Sequence, residues 1–295
     1  MPDLSVIIVN YNSRAHLDYF IPSLKQQTYR SFELVIADNA SSDDSLSVLA
    51  KAFPAARIIM NTENLGYTKA MNQGIRNSGG KYVLTLNFDL ILEPDFIKEM
   101  LKAADRDPGI GSVSGKLYRY VDGKKTGLID STGHIMQRDR IVKNREKNVS
   151  DPGYIFGVSG AASLYRREML EDIKYMEEYL DEDLVAGYDD VDVDWRAQNR
   201  GWKCYYTPLA VAYHARGGAN QKSSRRWRFL NYRNRYLVML KNDNLGAFIL
   251  DLPFILLCEL GLFFSMLLDL QLVPVWLSVL SLLPKFRAKR VRSRT

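Results

Sequence analysis

Four short apolar runs near the start of the chain constrain its fold more than any other feature of the sequence. They are SVIIV (5–9), FELVIA (32–37), RIIM (57–60) and YVLTL (82–86). Each run is continuous rather than alternating, which is typical of strands covered on both faces. Apolar residues at helical spacing separate the first three runs: Leu17, Phe20, Ile21 and Leu24, then Leu46, Leu49, Ala50 and Phe53. This alternation predicts an α/β fold with right-handed crossovers and a largely parallel sheet.

A polar residue follows or ends each apolar run. These residues are Asn10, Asp38, Asn61 and Asn87. In an open α/β sheet the ligand crevice lies beyond the carboxyl ends of the strands, so we expect the four positions to converge on one site. Asp89 follows immediately after the fourth strand and belongs to the same predicted site. The alternative for any one of them is the capping of a loop.

Two common nucleotide-binding fingerprints are missing from the sequence. It contains neither GxxxxGK[ST] nor GxGxxG, which excludes the P-loop and the dinucleotide fingerprint. A divalent cation is the alternative means of holding phosphates, and hard oxygen ligands such as Asp89 suit Mg²⁺ or Mn²⁺.

The cysteine content indicates the cellular compartment, and the charge distribution narrows the range of expected binding partners. Cys204 and Cys258 support neither a disulfide framework nor a zinc site, so we expect a reducing cytosol. Residues 195–242 hold eleven Lys or Arg and no acid, and the tail 285–295 holds six Lys or Arg and no acid. These basic blocks indicate binding of phosphate or anionic lipid, and the alternative is a basic surface that is simply exposed to solvent. No nucleic-acid-binding motif is present, so a nucleic-acid partner is not expected.

The segment 245–284 is rich in Leu, Phe and Val but carries Asp251, Glu259 and Asp269. Its longest uncharged stretch has fifteen residues, 270–284, which is short of the ~20 needed to span a bilayer. On a helical wheel the three acids fall on one face. We therefore predict amphipathic helices, interrupted at Pro253 and Pro274, that lie on the cytoplasmic face of the cell membrane as a peripheral or monotopic anchor. A helical cap or a dimer interface is the alternative.

Several motifs resemble one known family. VIIVNYN (6–12), ADNASSDDS (37–45), NTENLGYTKAMNQGI (61–75) and LNFD (86–89) resemble the nucleotide-binding half of inverting family 2 glycosyltransferases of the GT-A type. SGAASLYRRE (159–168), LDEDLVAGYDDVDVDWRAQNRGW (180–202) and AVAYHARG (210–217) are similar to bacterial rhamnosyltransferases that use dTDP-rhamnose. The order and spacing of these motifs make the resemblance specific over roughly residues 4–242.

The resemblance implies a division of the chain. Residues 1–242 would form the GT-A domain, with a nucleotide-binding half at about 1–110 and an acceptor-binding half at about 111–242. Residues 243–295 would form a membrane-associated helical segment with a basic tail. No fold is predicted for residues 118–150.

The resemblance also assigns donor-binding roles. The metal-binding DxD motif of the family falls on residues 87–89, where Asn87 replaces the first carboxylate and Asp89 keeps the last. Asp89 and His214 are implied as ligands of Mg²⁺ or Mn²⁺, and Asn87 as a contact of the nucleotide sugar. The remaining implied contacts of the nucleotide sugar are Tyr11, Asp38, Asn64, Asn72 and Arg216.

One member of the acid cluster within 180–202 is assigned to proton transfer. The resemblance singles out Asp190 as general base, which is needed because the acceptor hydroxyl becomes strongly acidic only in the transition state. Asp189 and Asp192 would increase the basicity of Asp190 through their charge. Asp192 would also orient Arg196. The alternative is a solvated loop and helix N-terminus, where acids are favoured.

Basic residues after the last predicted strand are candidates for a diphosphate clamp. They are Arg216, Lys222, Arg225, Arg226 and Arg228, of which one or two would bind phosphate and the others lipid head groups. QKSSRRW (221–227) departs from the QxxRW signature of processive synthases in its spacing, which favours a single sugar addition. His16 and His134 are expected to be surface or loop residues.

Together these features predict an enzyme that moves L-rhamnose from dTDP-rhamnose to a polyprenyl-diphosphate-linked saccharide, with inversion. Three alternatives remain at this stage. They are a UDP-sugar-dependent enzyme of the same family, a nucleotidyltransferase, and a non-catalytic membrane-bound sugar-binding protein.

Overall fold

The computed structural model describes residues 3–216 and 224–290, and its core is one ten-stranded sheet. The strands are β1 (Leu4–Asn10), β2 (Phe32–Asp38), β3 (Arg57–Met60), β4 (Tyr82–Leu86), β5 (Leu90–Leu92), β6 (Ile110–Val121), β7 (Lys124–Ser131), β8 (His134–Met136), β9 (Val142–Asn144), β10 (Gly153–Ile155), β11 (Ala162–Arg166) and β12 (Lys203–His214). The helices are α1 (Arg14–Lys25), α2 (Ser45–Ala52), α3 (Tyr67–Arg76), α4 (Phe96–Ala104), α5 (Arg167–Ile173), α6 (Asp189–Asn199), α7 (Arg225–Asn242), α8 (Leu245–Leu268) and α9 (Leu272–Ala288).

The four predicted strands form the parallel half of the sheet, in the order β3-β2-β1-β4. Helices α1, α2 and α3 make the crossovers between them. The apolar stripe of α1 is buried through Leu17, Phe20 and Leu24, as its spacing predicted. The mostly parallel α/β fold is therefore confirmed.

The second half of the sheet continues the first without a break. Strand β11 pairs antiparallel with both β4 and β6, and β6 then pairs parallel with the long strand β12. Most strands of the sheet consequently run in one direction. The carboxyl end of β12 therefore opens on the same side as the ends of β1 and β4.

The segment without a predicted fold contains two hairpins. Strand β7 returns antiparallel along β6, and β8 pairs with β9 in a separate two-stranded sheet. The turn between β8 and β9 is tied to the C-terminal helices, because Arg140 donates hydrogen bonds to Asp243 and Asp251. These pairings join residues that are distant in sequence, which explains why no local pattern predicted them.

Helix α8 turns its acidic side chains toward the protein, whereas α9 packs Val275, Val279 and Phe286 inward; many other apolar residues of both helices are exposed. On α8, Asp251 pairs with Arg140, and Glu259 pairs with Arg235 of α7. The helix continues through Pro253 without the expected interruption, and it is long and apolar enough by composition to cross a membrane. The exposed apolar residues of the two helices include Leu245, Ile249, Leu250, Leu256, Leu257, Leu260, Phe264, Leu267, Leu268, Val273, Leu277 and Leu280.

Helix α3 approaches β1 so closely that the contact requires a glycine. A Cβ at Gly74 would overlap Cγ2 of Ile7. We expect Gly74→Ala to lower the free energy of unfolding by ~1–3 kcal/mol, because the packed interface must shift to admit a methyl group. The matched control is Gly261→Ala in α8, where no atom lies within 4 Å of the new Cβ. Chemical denaturation midpoints in detergent would measure both, and equal midpoints would contradict the close packing.

Candidate active site

A cleft with a volume of about 1180 Å³ opens at the carboxyl ends of the parallel strands. Its walls come from the ends of β1, β4 and β12 on one side and from the first turns of α6 and α7 on the other. The structure therefore brings together most of the residues that the sequence singled out. Those that line the cleft are Tyr11, Asn64, Asn87, Asp89, Asp189, Asp190, His214 and Arg216.

Four of the predicted site residues lie behind the cleft wall instead of on it: Asp38, Asn72, Asp192 and Arg196. Asp38 is buried and accepts hydrogen bonds from Asn10 Nδ2 and Ser41 Oγ, both at 2.7 Å. Asn72 is also buried, and its amide bonds to the carbonyl oxygen and the N–H of Leu180 at 2.8 and 2.9 Å. These two residues hold the strand end and α3 in place.

His214 lies between two carboxylates at the floor of the cleft. Its Nε2 is 3.1 Å from Asp89 Oδ2, and its Nδ1 is 2.9 Å from Asp130 Oδ2. Asp130 also accepts a hydrogen bond from Arg216 Nε. The sequence reasoning missed Asp130, because its position depends on the β6–β7 pairing and no local motif marks it.

The charges of His214, Asp89 and Asp130 stabilise one another. Burial alone would lower the pKa of His214, but hydrogen bonds and charge from Asp130 and Asp89 raise it to about 9. Burial alone would raise the pKa of Asp89, and the contact with His214 instead lowers it. In the absence of other ligands His214 is therefore a cation held by two carboxylates.

The same groups fit a divalent cation. Asp89 Oδ1 is buried and has no hydrogen-bond partner among the described residues, which is costly for a carboxylate oxygen. A histidine whose Nδ1 is held by a carboxylate is a common arrangement for a metal ligand. Residues 3–216 and 224–290 contain no group of three or more His, Cys, Asp or Glu side chains that could hold a metal. Mg²⁺ needs only one or two protein carboxylates when water and substrate phosphates complete its shell.

Asp190 lies on the opposite wall, in the first turn of α6. Its Oδ2 accepts a hydrogen bond from Gly160 N and its Oδ1 one from Val191 N, each at 2.8 Å. The neighbouring carboxyl, Asp189, is buried, and burial followed by the charge of Asp190 raises its pKa to about 7.

Residues 5–174, more than half of the chain, match the sequence model of Glycosyl transferase family 2. The chain belongs to glycosyl transferase family 2. Among curated relatives, a poly-beta-1,6-N-acetyl-D-glucosamine synthase of Staphylococcus aureus (strain COL) is 23% identical over 212 residues, 71% of this chain and 49% of the relative. The chain thus spans about half the length of that relative.

A second relative and a solved structure extend the comparison. An N-acetylglucosaminyl-diphospho-decaprenol L-rhamnosyltransferase of Mycobacterium tuberculosis (strain CDC 1551 / Oshkosh) is 27% identical over 236 residues, covering 72% of this chain and 75% of the relative. The crystal structure of GalNAc-T7 with UDP, GalNAc and Mn²⁺ matches with a TM-score of 0.65 at 16% identity, covering 82% of this chain and 48% of that one. This glycosyltransferase chain therefore has the GT-A fold.

The two histidines expected on the surface or in loops both line the glycosyltransferase cleft. His16 Nδ1 lies 2.5 Å from Tyr19 Oη. His134 is only 8% exposed, and its Nε2 is 3.8 Å from Asp190 Oδ2. The expected placement is wrong for His134, which begins β8 and is buried through contacts that the local sequence does not indicate; His16 is partly exposed on α1.

Most of the acid cluster is buried instead of solvated, although Asp189, Asp190 and Asp192 do lie at a helix N-terminus as the alternative predicted. Asp192 accepts a hydrogen bond from Arg196 Nε at 2.9 Å, as predicted. Lys241 Nζ bridges Asp192 at 3.0 Å and Asp181 at 2.7 Å. Lys289, directly after α9, contacts Asp181 at 2.6 Å. This network fixes α6, and with it Asp190, against the C-terminal helices.

The basic residues of the predicted clamp separate into two groups. Arg216 and Arg226 line the cleft. Arg225 donates a hydrogen bond to Leu270 O, and Arg228 pairs with Asp269, so both contact the turn between α8 and α9. Lys222 lies outside the described residues.

The buried pairing of Asp181 makes stability depend on pH. Burial alone would raise the pKa of Asp181, but Lys241 and Lys289 lower it to about 2. We expect Asp181→Asn to lower the free energy of unfolding by ~3 kcal/mol at pH 7, since it removes the carboxylate shared by two buried lysines. The group's stabilisation is present above its unfolded pKa of about 4 and is lost as the pH falls toward 2.

The difference between wild type and Asp181→Asn should therefore shrink below pH 4, as measured by denaturation midpoints from pH 3 to 8. Asp18→Asn is the control, because Asp18 forms an exposed pair with Arg14 on the surface of α1. A loss of stability in Asp181→Asn that stays constant down to pH 3 would contradict the pairing.

Proposed function

We propose that this family 2 glycosyltransferase transfers L-rhamnose from dTDP-rhamnose to a polyprenyl-diphosphate-linked saccharide in cell-surface polysaccharide synthesis. The observation that carries the proposal is that the Asp89–His214 pair and Asp190 line the same cleft. The named activity of the mycobacterial relative supports the donor sugar and the lipid-linked acceptor. Residues 1–242 would carry the transfer, and residues 243–295 would hold the enzyme on the membrane.

In this proposal the donor lies along the β1, β4 and β12 side of the cleft. Tyr11 packs against the base, Asn64 and Asn87 contact the nucleotide sugar, and Arg216 contacts the diphosphate. Asp38 and Asn72 contribute to donor binding indirectly, because they hold the strand end and helix α3 in position. The Asp89 carboxylate suits Mg²⁺ or Mn²⁺, and His214 Nε2 would be the second protein ligand. When bound there, the cation neutralises the charge that grows on the departing diphosphate.

Asp190 removes the proton during transfer. The acceptor oxygen forms a bond to the anomeric carbon on the face opposite the diphosphate, the carbon–phosphate oxygen bond breaks, and the hydroxyl proton passes to the Asp190 carboxylate. The configuration of the sugar is inverted. The N–H groups of Gly160 and Val191 keep this carboxylate in one orientation. Partial protonation of Asp189 near neutral pH limits the repulsion between the two adjacent acids.

Release of the nucleoside diphosphate tests this function. We expect dTDP release from dTDP-rhamnose that requires Mg²⁺ or Mn²⁺ and a polyprenyl-diphosphate-GlcNAc acceptor. Asp190→Asn should lower that rate by roughly 10²- to 10⁴-fold, because the amide retains the shape but cannot accept the proton. Binding of dTDP should be unchanged, and Asp18→Asn on the distant surface should match wild type.

The other outcomes separate the alternatives. Release from a UDP-sugar alone would overturn the rhamnose assignment and keep the enzyme class. Pyrophosphate as product would indicate a nucleotidyltransferase. Binding of sugar nucleotides with no turnover across donors and lipid acceptors would indicate a sugar-binding protein.

The C-terminal helices are proposed to lie in the plane of an anionic membrane on its cytoplasmic side. If α8 crossed the bilayer, the pairs that Asp251 and Glu259 make with Arg140 and Arg235 would enter hydrocarbon, at a cost of ~2.5–3.5 kcal/mol per charged group. An in-plane helix keeps these pairs within the protein and turns its exposed leucines toward lipid. Arg287 is exposed and would meet anionic head groups, whereas Lys289 of the predicted basic tail is instead buried against Asp181.

Vesicle flotation tests the orientation. We expect binding to vesicles rich in anionic lipid, weaker binding to neutral ones, and release by alkaline extraction. Leu257→Glu with Leu268→Glu should abolish flotation, because these side chains are 74% and 85% exposed on the proposed lipid face. Leu209→Glu is the control, since that residue is 66% exposed at a distance from both helices in the sequence. Resistance to alkaline extraction would instead indicate a spanning helix.

A further inference from the structure

His134 is held rigidly beside Asp190, although no role has been assigned to it. It begins β8, and its backbone N–H donates a hydrogen bond of 2.7 Å to Gly157 O. The far end of the β8–β9 hairpin is fixed by the buried Arg140, which contacts Asp243 at 2.8 Å and Asp251 at 2.7 Å. The imidazole therefore occupies a set position in the cleft wall.

The surroundings of the ring decide which nitrogen carries the proton. Nδ1 of His134 is buried and meets no hydrogen-bond partner in the described part of the chain. A buried N–H without an acceptor is rarer in proteins than an acceptor without a donor. The proton of the neutral ring consequently resides on Nε2, so that His134 presents a hydrogen-bond donor toward Asp190.

The two side chains are close enough to share one oxygen that lies to the side of the line between them. Nε2 and Asp190 Oδ2 are 3.8 Å apart, beyond the 2.7–3.2 Å range of a direct hydrogen bond. One oxygen atom at hydrogen-bond distance from both would bridge them. Asp190 Oδ2 is already oriented by Gly160 N and retains capacity for a further donor.

We propose that His134 is an acceptor-binding residue, whose Nε2–H holds the acceptor hydroxyl oxygen against Asp190. This inference depends on the proposed sugar transfer. A hydroxyl has one proton and two lone pairs. The proton points to Asp190, one lone pair accepts the bond from His134, and the second lone pair is left to attack the anomeric carbon. His134 keeps its own proton throughout, and the proton that leaves the hydroxyl passes to Asp190.

The test compares two reactions of the same cleft in the full-length protein with Mn²⁺. One is transfer to polyprenyl-diphosphate-GlcNAc, and the other is the slow hydrolysis of dTDP-rhamnose in the absence of acceptor. We expect His134→Ala to lower kcat/KM for the acceptor by roughly 10- to 100-fold and to leave donor hydrolysis and the Kd of dTDP within about twofold of wild type. His134→Gln, which retains a donor N–H, should recover part of the loss.

The control variant is Ile135→Ala on the same strand, whose side chain is exposed and does not line the cleft. It should leave both reactions unchanged. An acceptor kcat/KM in His134→Ala equal to that of wild type would overturn the inference, as would an equal loss in both reactions with an unchanged denaturation midpoint. Failure of the wild type to hydrolyse or transfer any nucleotide sugar would instead overturn the proposed transfer itself.

Discussion

His214 bonds to two carboxylates from different parts of the sheet, and the geometry of the cleft depends on this contact. Asp89 follows β4 in the parallel half, whereas Asp130 ends the β7 hairpin of the other half. The buried imidazolium compensates both acids, and the acids in turn keep it charged. A metal cation bound at Asp89 would neutralise part of the negative charge that His214 otherwise balances. The proposed diphosphate site is thus also the place where the two halves of the sheet are joined.

Charge pairing also connects the wall that carries Asp190 to helices α8 and α9. Lys289 at the end of α9 contacts Asp181, which Lys241 links to Asp192 in the same helix as Asp190. On the other side, Asp251 of α8 fixes the hairpin that carries His134. Both walls of the proposed acceptor site therefore rest on helices whose outer faces are apolar. Such an arrangement suits an acceptor whose lipid remains in the bilayer while its saccharide enters the cleft.

The sequence predicted those parts of the fold that depend on local patterns. Continuous apolar runs identified the parallel strands. Of the polar residues after them, Asn87 and Asp89 line the cleft, whereas Asn10, Asp38 and Asn61 do not. Motif order identified His214 and Asp190 as candidates, and the structure brings them into one cavity. The sequence also showed that Asp251 and Glu259 of α8 share one face of the helix, because a helical wheel requires no tertiary information.

Other features depend on contacts between distant residues and could not be predicted. Asp130 and His134 reach the cleft through hairpins that pair late segments of the chain, and no neighbouring motif marks them. The burial of Asp181 and Asp192 depends on two lysines from helices far along the sequence. Acidic residues in a sequence are normally expected to be exposed to solvent. The ion pairs of Asp181 and Asp192 could therefore be recognised only in the structure.

The central claim is that the diphosphate of a nucleotide sugar is bound at Asp89 and His214, facing Asp190. Anomalous diffraction from crystals grown with Mn²⁺ and dTDP tests it most directly. The account predicts a manganese peak in contact with the Asp89 carboxylate, His214 Nε2 and the diphosphate, with the thymine base near Tyr11. A manganese ion or a nucleotide bound outside this cleft, with Asp89 and His214 still paired to each other, would contradict it.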